Sequence, residues 1–176
     1  MNGSNKWYVL TGGPCAGKTT ILHELKKKGY VTVPEVARAY IDRELSLGKT
    51  IEEIRADEPQ FQRNLIQMKI DAEKELSPDA IAFFDRGMHD SEAYLKAQGV
   101  SPTPFLLEAM GNSMYQKVFL FEMLPLVQDG ARTESPELAA KLHQLLGESY
   151  EAAGMPVIPV PVMSIKERLD FILNNL

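Results

Sequence analysis

The chain of 176 residues fits a single domain and is long enough to enclose a hydrophobic core. Its 44% hydrophobic and 24% charged residues are those of an ordinary soluble globular protein, and a net charge of −5 argues against non-specific nucleic-acid binding. One cysteine rules out an internal disulfide, no Cys/His cluster has zinc spacing, and no apolar run approaches a membrane span or a signal-peptide core, so a cytoplasmic location is expected.

The first informative stretch begins with Trp7-Tyr8-Val9-Leu10, aromatic and aliphatic as a buried strand should be. Gly12-Gly13-Pro14-Cys15-Ala16-Gly17-Lys18-Thr19 follows and fits the phosphate-binding pattern G-x-x-x-x-G-K-[ST]. Ile21, Leu22 and Leu25 then recur at helical spacing as far as Lys26-Lys27-Lys28 and Gly29, where cations suit the helix dipole and glycine the stop. In that order each part has a task. Glycines let the backbone approach a phosphate, and successive N–H groups with the helix N-terminus bind its charge. Lys18 is expected to reach the β- and γ-phosphates and Thr19 to ligand Mg²⁺, with Thr20 beside it in the nucleotide site. Cys15 reads as a small residue accommodated in the loop.

Tyr30 to Val33 reads as a second strand, ended by Pro34, and Glu35 stands just past its carboxyl end, the edge where open α/β sheets bind ligands. A helix from Val36 carries Ala37, Tyr40, Ile41 and Leu45 on its apolar side, with Arg38 elsewhere, until Gly48. Thr50 and Glu53 resemble a capping box. A long helix is expected after Pro59 with Phe61, Leu65, Met68, Ala72 and Leu76 buried and its charged residues facing solvent. Ser77-Pro78-Asp79 is a turn.

Ala80 to Phe84, five apolar residues ending at Asp85, has the form of a buried strand with a Mg²⁺-directed carboxylate at its tip. Arg86, directly after it, can clamp a phosphate with two parallel hydrogen bonds, or form a structural ion pair. His89, Asp90 and Ser91 open the next helix, where His89 can touch substrate or serve a capping or surface role. A short helix from Phe105 to Met110 is expected to end at Gly111, and Lys117 to Phe121 reads as a strand leading to Glu122. The polar segment Gln128 to Glu134 lies between a strand and a helix, where mononucleotide kinases carry a mobile lid; Arg132 is either a residue that closes over the triphosphate or part of a solvated loop. Ser135-Pro136 starts a helix as N-cap and N1, Val157 to Val160 reads as a last strand whose prolines suggest an edge or a strand end, and Ser164 with Glu167 caps the last helix. Strand and helix alternate throughout, which predicts one parallel sheet covered on both faces.

With Pro34-Glu35-Val36-Ala37-Arg38, Asp85-Arg86-Gly87-Met88-His89-Asp90 and Asp129-Gly130-Ala131-Arg132 following the phosphate loop in order, nearly the whole chain resembles a known family. It is similar to the small P-loop domain shared by bacterial nicotinamide riboside kinases of the NAD-regulator type and a eukaryotic GTP- and phosphoinositide-binding trafficking protein, and more widely to deoxynucleoside kinases. The resemblance implies a three-layer α/β fold with a parallel five-stranded sheet and a lid. It also implies a catalytic set of Lys18, Glu35, Asp85, Arg86 and Arg132, with Glu35 the base on an acceptor hydroxyl. Residues Gly12, Gly13, Pro14, Cys15, Ala16, Gly17, Lys18, Thr19 and Thr20 would hold the nucleotide and Thr19 with Asp85 the Mg²⁺. Substrate would meet Glu35, Arg38, Arg86, His89 and Asp90.

Two functions compete at this point. One is a kinase moving the ATP γ-phosphate to a small, nucleoside-like hydroxyl acceptor. The other is a nucleotide-dependent NTPase or switch acting on a protein or lipid partner. The guanine-reading N-K-x-D motif is absent, Met68-Lys69-Ile70-Asp71 failing at its first position, which favours ATP over GTP.

Overall fold

In the computed structural model, which describes residues 6–77, 79–113, 115–123 and 136–176, alternate residues of the first strand enter different cores. Strand β1 (Trp7–Gly12) is buried along its whole length. Trp7 and Val9 pack with Phe84, Met88, Tyr115 and Tyr150 on one face; Tyr8 and Leu10 pack with Ile21, Leu25, Phe119 and Ile172 on the other. A strand buried on both faces needs helices on both, and it is met by them.

The remaining elements in chain order are α1 (Lys18–Lys27), β2 (Val31–Val33), α2 (Val36–Ser46), α3 (Ile51–Arg55), α4 (Glu58–Lys74), β3 (Ala82–Asp85), α5 (Met88–Ala97), α6 (Pro104–Asn112), β4 (Lys117–Phe121), α7 (Pro136–Ala152), β5 (Val157–Val160) and α8 (Ile165–Asn174). The five strands are parallel in the order β2-β3-β1-β4-β5. Pro159 accordingly lies in an edge strand, where its missing N–H costs no ladder bond to an outer neighbour. Register places Leu10 opposite Asp85, so the loop after β1 and the turn after β3 leave the sheet side by side.

Several boundaries differ from the sequence expectation for local reasons. The third strand begins at Ala82 rather than Ala80. The Thr50–Glu53 capping box forms, but it opens the separate short helix α3; Asp57 then caps α4, accepting from the Gln60 N–H, with proline in the first turn. Gly111 remains helical, and α6 stops instead at Ser113, whose extended backbone and N–H to the Ala109 carbonyl close the last turn. The phosphate-loop helix starts earlier than its apolar periodicity, at Lys18. The capping box of Ser164 and Glu167 stands as expected. Ser135, Pro78 and the whole segment from Gln128 to Glu134 lie outside the described residues.

Candidate active site

The loop from Gly12 to Gly17 folds tightly enough to demand its glycines. Gly12 has φ +138, and a Cβ there would lie 2.7 Å from the Phe121 carbonyl oxygen. Gly17, in the left-handed region at φ 88, is the N-cap of α1, so the first helical N–H groups face the loop. The Lys18 ammonium, buried, turns back over this loop and donates to the carbonyls of Gly12 (3.1 Å) and Gly13 (2.8 Å). Burial, with Arg86 nearby, lowers its pKa to about 8 against the opposing pull of Asp85, Glu35 and Asp90. Pro14, Cys15, Thr19 and Thr20 are exposed and Ala16 is buried. From behind, Arg168 of α8 donates through Nη1 to the Ala16 carbonyl at 2.6 Å and through Nε to the Pro161 carbonyl at 3.0 Å. Sequence reading missed Arg168, since a charged residue in a terminal amphipathic helix looks like surface.

At the tip of β3, Asp85 accepts from the Thr19 hydroxyl through Oδ2 at 2.8 Å, while its buried Oδ1 has no hydrogen-bond partner. Burial raises its pKa, with the Lys18 charge and the Thr19 hydrogen bond opposing. Among the described residues no cluster of three or more His, Cys, Asp or Glu could hold a metal by itself. A hydroxyl and a carboxylate with one free oxygen do fit Mg²⁺, which keeps several waters and takes its other ligands from substrate phosphates.

Arg86 adopts φ 68, a left-handed backbone uncommon for a residue with a side chain. Three contacts fix where its guanidinium goes. Nε donates to Glu35 Oε1 at 3.1 Å, and Nη1 donates to the Gly12 carbonyl at 3.2 Å and to Asp90 Oδ1 at 3.1 Å. Burial disfavours its charge, but Tyr94 and the carboxylates of Asp90, Glu35 and Asp85 more than offset this and raise its pKa. Asp90 also accepts from Thr11 Oγ1 at 2.7 Å, the Gly87 N–H at 3.0 Å and the Tyr150 hydroxyl at 2.5 Å. Burial pushes its carboxyl up, and Arg86, Lys69 and these hydroxyls together bring it below its ordinary value.

Beside this junction lies a cleft of about 480 Å³ between α2, α3, α4 and α5. Glu35, Arg86, Asp90, Ser91 and Lys69 supply polar lining, Phe61, Leu65, Ile41 and Tyr94 apolar lining, and Arg38 also contributes to the wall. The structure thus gathers Lys18, Thr19, Glu35, Asp85, Arg86 and Asp90 at one sheet edge, with Arg38 along the adjoining cleft. His89 is not there. Its ring is buried between Tyr150 (4.9 Å) and Tyr115 (6.5 Å), with Nδ1 unpartnered, and it does not line the cleft. Burial lowers its pKa to about 4, outweighing Glu92 and Asp90. Arg132 lies outside the described residues.

Lys69, expected to face solvent, is another residue that the sequence reading misplaced. Its ammonium faces the cleft floor rather than solvent and donates to the Gly87 carbonyl at 2.7 Å and Ser91 Oγ at 3.0 Å. Burial lowers its pKa to about 8, and Asp90 is the leading opposing influence.

The same fold occurs in solved structures. NadR in complex with NR superposes with a TM-score of 0.71 at 16% identity, over 97% of this chain and 50% of that one. Thymidylate kinase from Ehrlichia chaffeensis gives 0.69 at 13% identity, over 98% of each chain. Deoxyadenosine kinase from M. mycoides, with products dCMP and a flexible dCDP bound, gives 0.64 at 18% identity, over 96% of this chain and 97% of that one. The chain spans about half the length of the NadR proteins it matches. At these identities the likeness is one of fold, the parallel α/β fold of P-loop kinases. No curated protein sequence matches the chain. The AAA_28 family model, described as an AAA domain, matches residues 7–168, nearly the full length, and the chain belongs to that family.

Proposed function

We infer that this protein is a kinase that transfers the γ-phosphate of ATP to the hydroxyl of a small, nucleoside-like acceptor. The observation that carries this reading is Arg86, which hydrogen-bonds the phosphate loop at Gly12 and the cleft carboxylate Glu35 with one guanidinium. A nucleotide-hydrolysing switch has no need of a separate cleft for an acceptor beside the phosphate loop, with a carboxylate at its phosphate end. A phosphotransferase needs both.

The triphosphate would lie on the N–H groups of the loop and the α1 N-terminus, with Lys18 leaving the loop carbonyls to meet phosphate oxygens. Thr19 and Asp85 are the residues that would hold Mg²⁺, which when bound supplies positive charge to the phosphate oxygens. In the cleft, Glu35 would accept the proton as the acceptor oxygen bonds to the γ-phosphorus and the bond to the bridging oxygen of ADP breaks. Arg86 would orient Glu35 and stabilise charge spreading over the transferring phosphoryl group. Phe61, Leu65 and Tyr94 would hold the apolar, planar part of the acceptor. Arg38 would contact its outer portion. Arg132, as part of a lid, would add positive charge to the transferring phosphoryl group.

The test is the fate of γ-labelled ATP in the presence of Mg²⁺ and a pool of nucleosides and small polar metabolites. Label on a new metabolite, lost in Lys18→Ala, supports the kinase. Label released only as inorganic phosphate, whatever the pool, overturns it in favour of an NTPase or switch. GTP in a parallel assay decides the donor.

A further inference from the structure

We propose that Lys69 is a positioning residue for phosphoryl transfer: from α4 it pins the Gly87–Met88 peptide, the one after Arg86, and so keeps the Arg86 guanidinium aimed at the junction of phosphate loop and acceptor cleft. The kcat part of this claim rests on the kinase reading above.

A lysine is seldom buried, because its ammonium gives up water, and such a residue needs compensating partners. Here the partners are specific. One is Ser91 Oγ, on α5. The other is the carbonyl of Gly87, the residue that follows Arg86. Arg86 holds an unfavourable left-handed backbone, which persists only where surrounding contacts over-determine it. Those contacts can be enumerated. The Arg86 N–H donates to the Leu10 carbonyl at 3.0 Å. The Gly87 N–H faces Asp90 Oδ2 and the Tyr150 hydroxyl at 3.0 and 3.1 Å. Lys69 takes the Gly87 carbonyl. These three groups of the turn are thereby held from β1, from α5 and α7, and from α4, and the α4 anchor comes from the helix that also supplies Phe61, Gln62 and Leu65 to the cleft wall. A shift of that wall reaches Arg86 through one side chain.

Simple neutralisation of Asp90 does not account for Lys69. Arg86 already pairs with Asp90 at 3.1 Å, and Thr11 and Tyr150 satisfy its oxygens further, whereas the Gly87 carbonyl has Lys69 as its side-chain donor.

Two readouts on Lys69→Met test the assignment. One is hydrogen exchange of the Arg86 Nε–H, followed by NMR and independent of any acceptor. The other is kcat set against ATP affinity. The expected result is exchange faster by about tenfold or more and kcat lower by about tenfold or more, with the Kd for ATP within about twofold. Unchanged Arg86 exchange overturns the proposal, as does unchanged kcat once an acceptor is known, or an equal loss of ATP affinity, which would mark general loosening. If no acceptor is phosphorylated at all, the kinase reading fails while the exchange measurement still decides the positioning role. Should Lys69→Met not fold, Lys69→Gln, neutral and shorter, is judged by the same measurements and limits.

Discussion

The Arg86 Nε–H donates to Glu35 Oε1 at 3.1 Å, joining the turn after β3 to the start of α2 just past β2, two segments fifty-one positions apart in the chain. Arg86 is buried, whereas the Glu35 side chain remains 34% accessible, so the carboxylate is held on one side and open to the cleft on the other. The proposed general-base role requires such a posture, a carboxylate oriented on one side and accessible from the cleft on the other. Glu35→Gln keeps the shape and removes the basicity. The expected outcome is a kcat lower by roughly 10²- to 10⁴-fold with nearly unchanged ATP binding, measured by steady-state transfer and nucleotide titration. Full activity in this variant would remove Glu35 from the chemistry.

Gly87 sits where no side chain fits. A Cβ there would lie 2.6 Å from the Tyr150 hydroxyl and 2.9 Å from both Tyr115 Cε2 and Val9 Cγ2, atoms of the central core rather than of flexible surface chains. Gly87→Ala is therefore expected to destabilise by about 1–3 kcal/mol through overpacking, lowering the melting temperature by several degrees. An unchanged melting curve would mean that the Tyr150–Asp90–Gly87 cluster is looser than its hydrogen bonds indicate.

Much of this architecture is legible in the chain because local and global preferences agree. Trp7 to Leu10, the glycine loop and Lys18-Thr19 announce strand, tight loop and helix, and Phe83-Phe84-Asp85 announces a buried strand with a carboxylate at its end. Helix caps at Thr50 and Ser164 depend on neighbouring residues alone and read equally well. The residues that escape are those whose role is set by a distant partner. Lys69 and Glu73 look like the solvated side of an amphipathic helix, yet α4 is packed on more than one side. Phe61 and Leu65 meet the α2 cluster, while Ile66 and Ile70 join the central core, carrying Lys69 and Glu73 inward with them. Glu73 then meets the hydroxyls of Tyr115 and Ser113, and burial raises its pKa. A stripe of Gln62, Ile66, Lys69, Ile70 and Glu73 at helical spacing was the available sign. His89 departs in the opposite sense: substrate contact, capping and surface were the roles open to it, but α5 turns it into the core against Tyr150.

His89 also gives the protein an acid sensitivity with a definite sign. Its pKa falls from 6.5 to about 4 on burial, so the unfolded chain binds its proton more readily than the folded one. The stabilisation from the neutral ring is complete above pH 6.5 and is lost as pH falls towards 4, amounting to roughly 3 kcal/mol. The depressed pKa of Asp90 acts in the same direction, and the raised values of Asp85 and Glu73 act against it. Urea midpoints across this range for the parent protein and His89→Phe separate the histidine from these acids. The difference between the two curves should shrink in the parent's disfavour as the solution is acidified; parallel curves would show that His89 does not carry the effect.

Arg168 extends the phosphate loop's support to the opposite end of the chain. Its guanidinium donates to the Ala16 and Pro161 carbonyls and lies 5.3 Å from the Phe121 ring centroid, and Nη1 occupies the space 3.0 Å from where a Gly17 side chain would begin. The cation is thus wedged between the loop, the end of β4 and the segment leading into α8. A charge-assisted hydrogen bond contributes about 1.5–3 kcal/mol, and its loss here falls on the loop proposed to receive the triphosphate. Arg168→Met keeps most of the packing against Phe121 and removes both hydrogen bonds. Its expected effect is an ATP Kd raised by about tenfold or more, since each 1.4 kcal/mol is a factor of ten. The acceptor KM at saturating ATP should hold, because nothing on α8 lines the cleft. Equilibrium nucleotide titration with the acceptor KM measured alongside checks this: an acceptor defect with normal ATP binding would place the influence of Arg168 elsewhere.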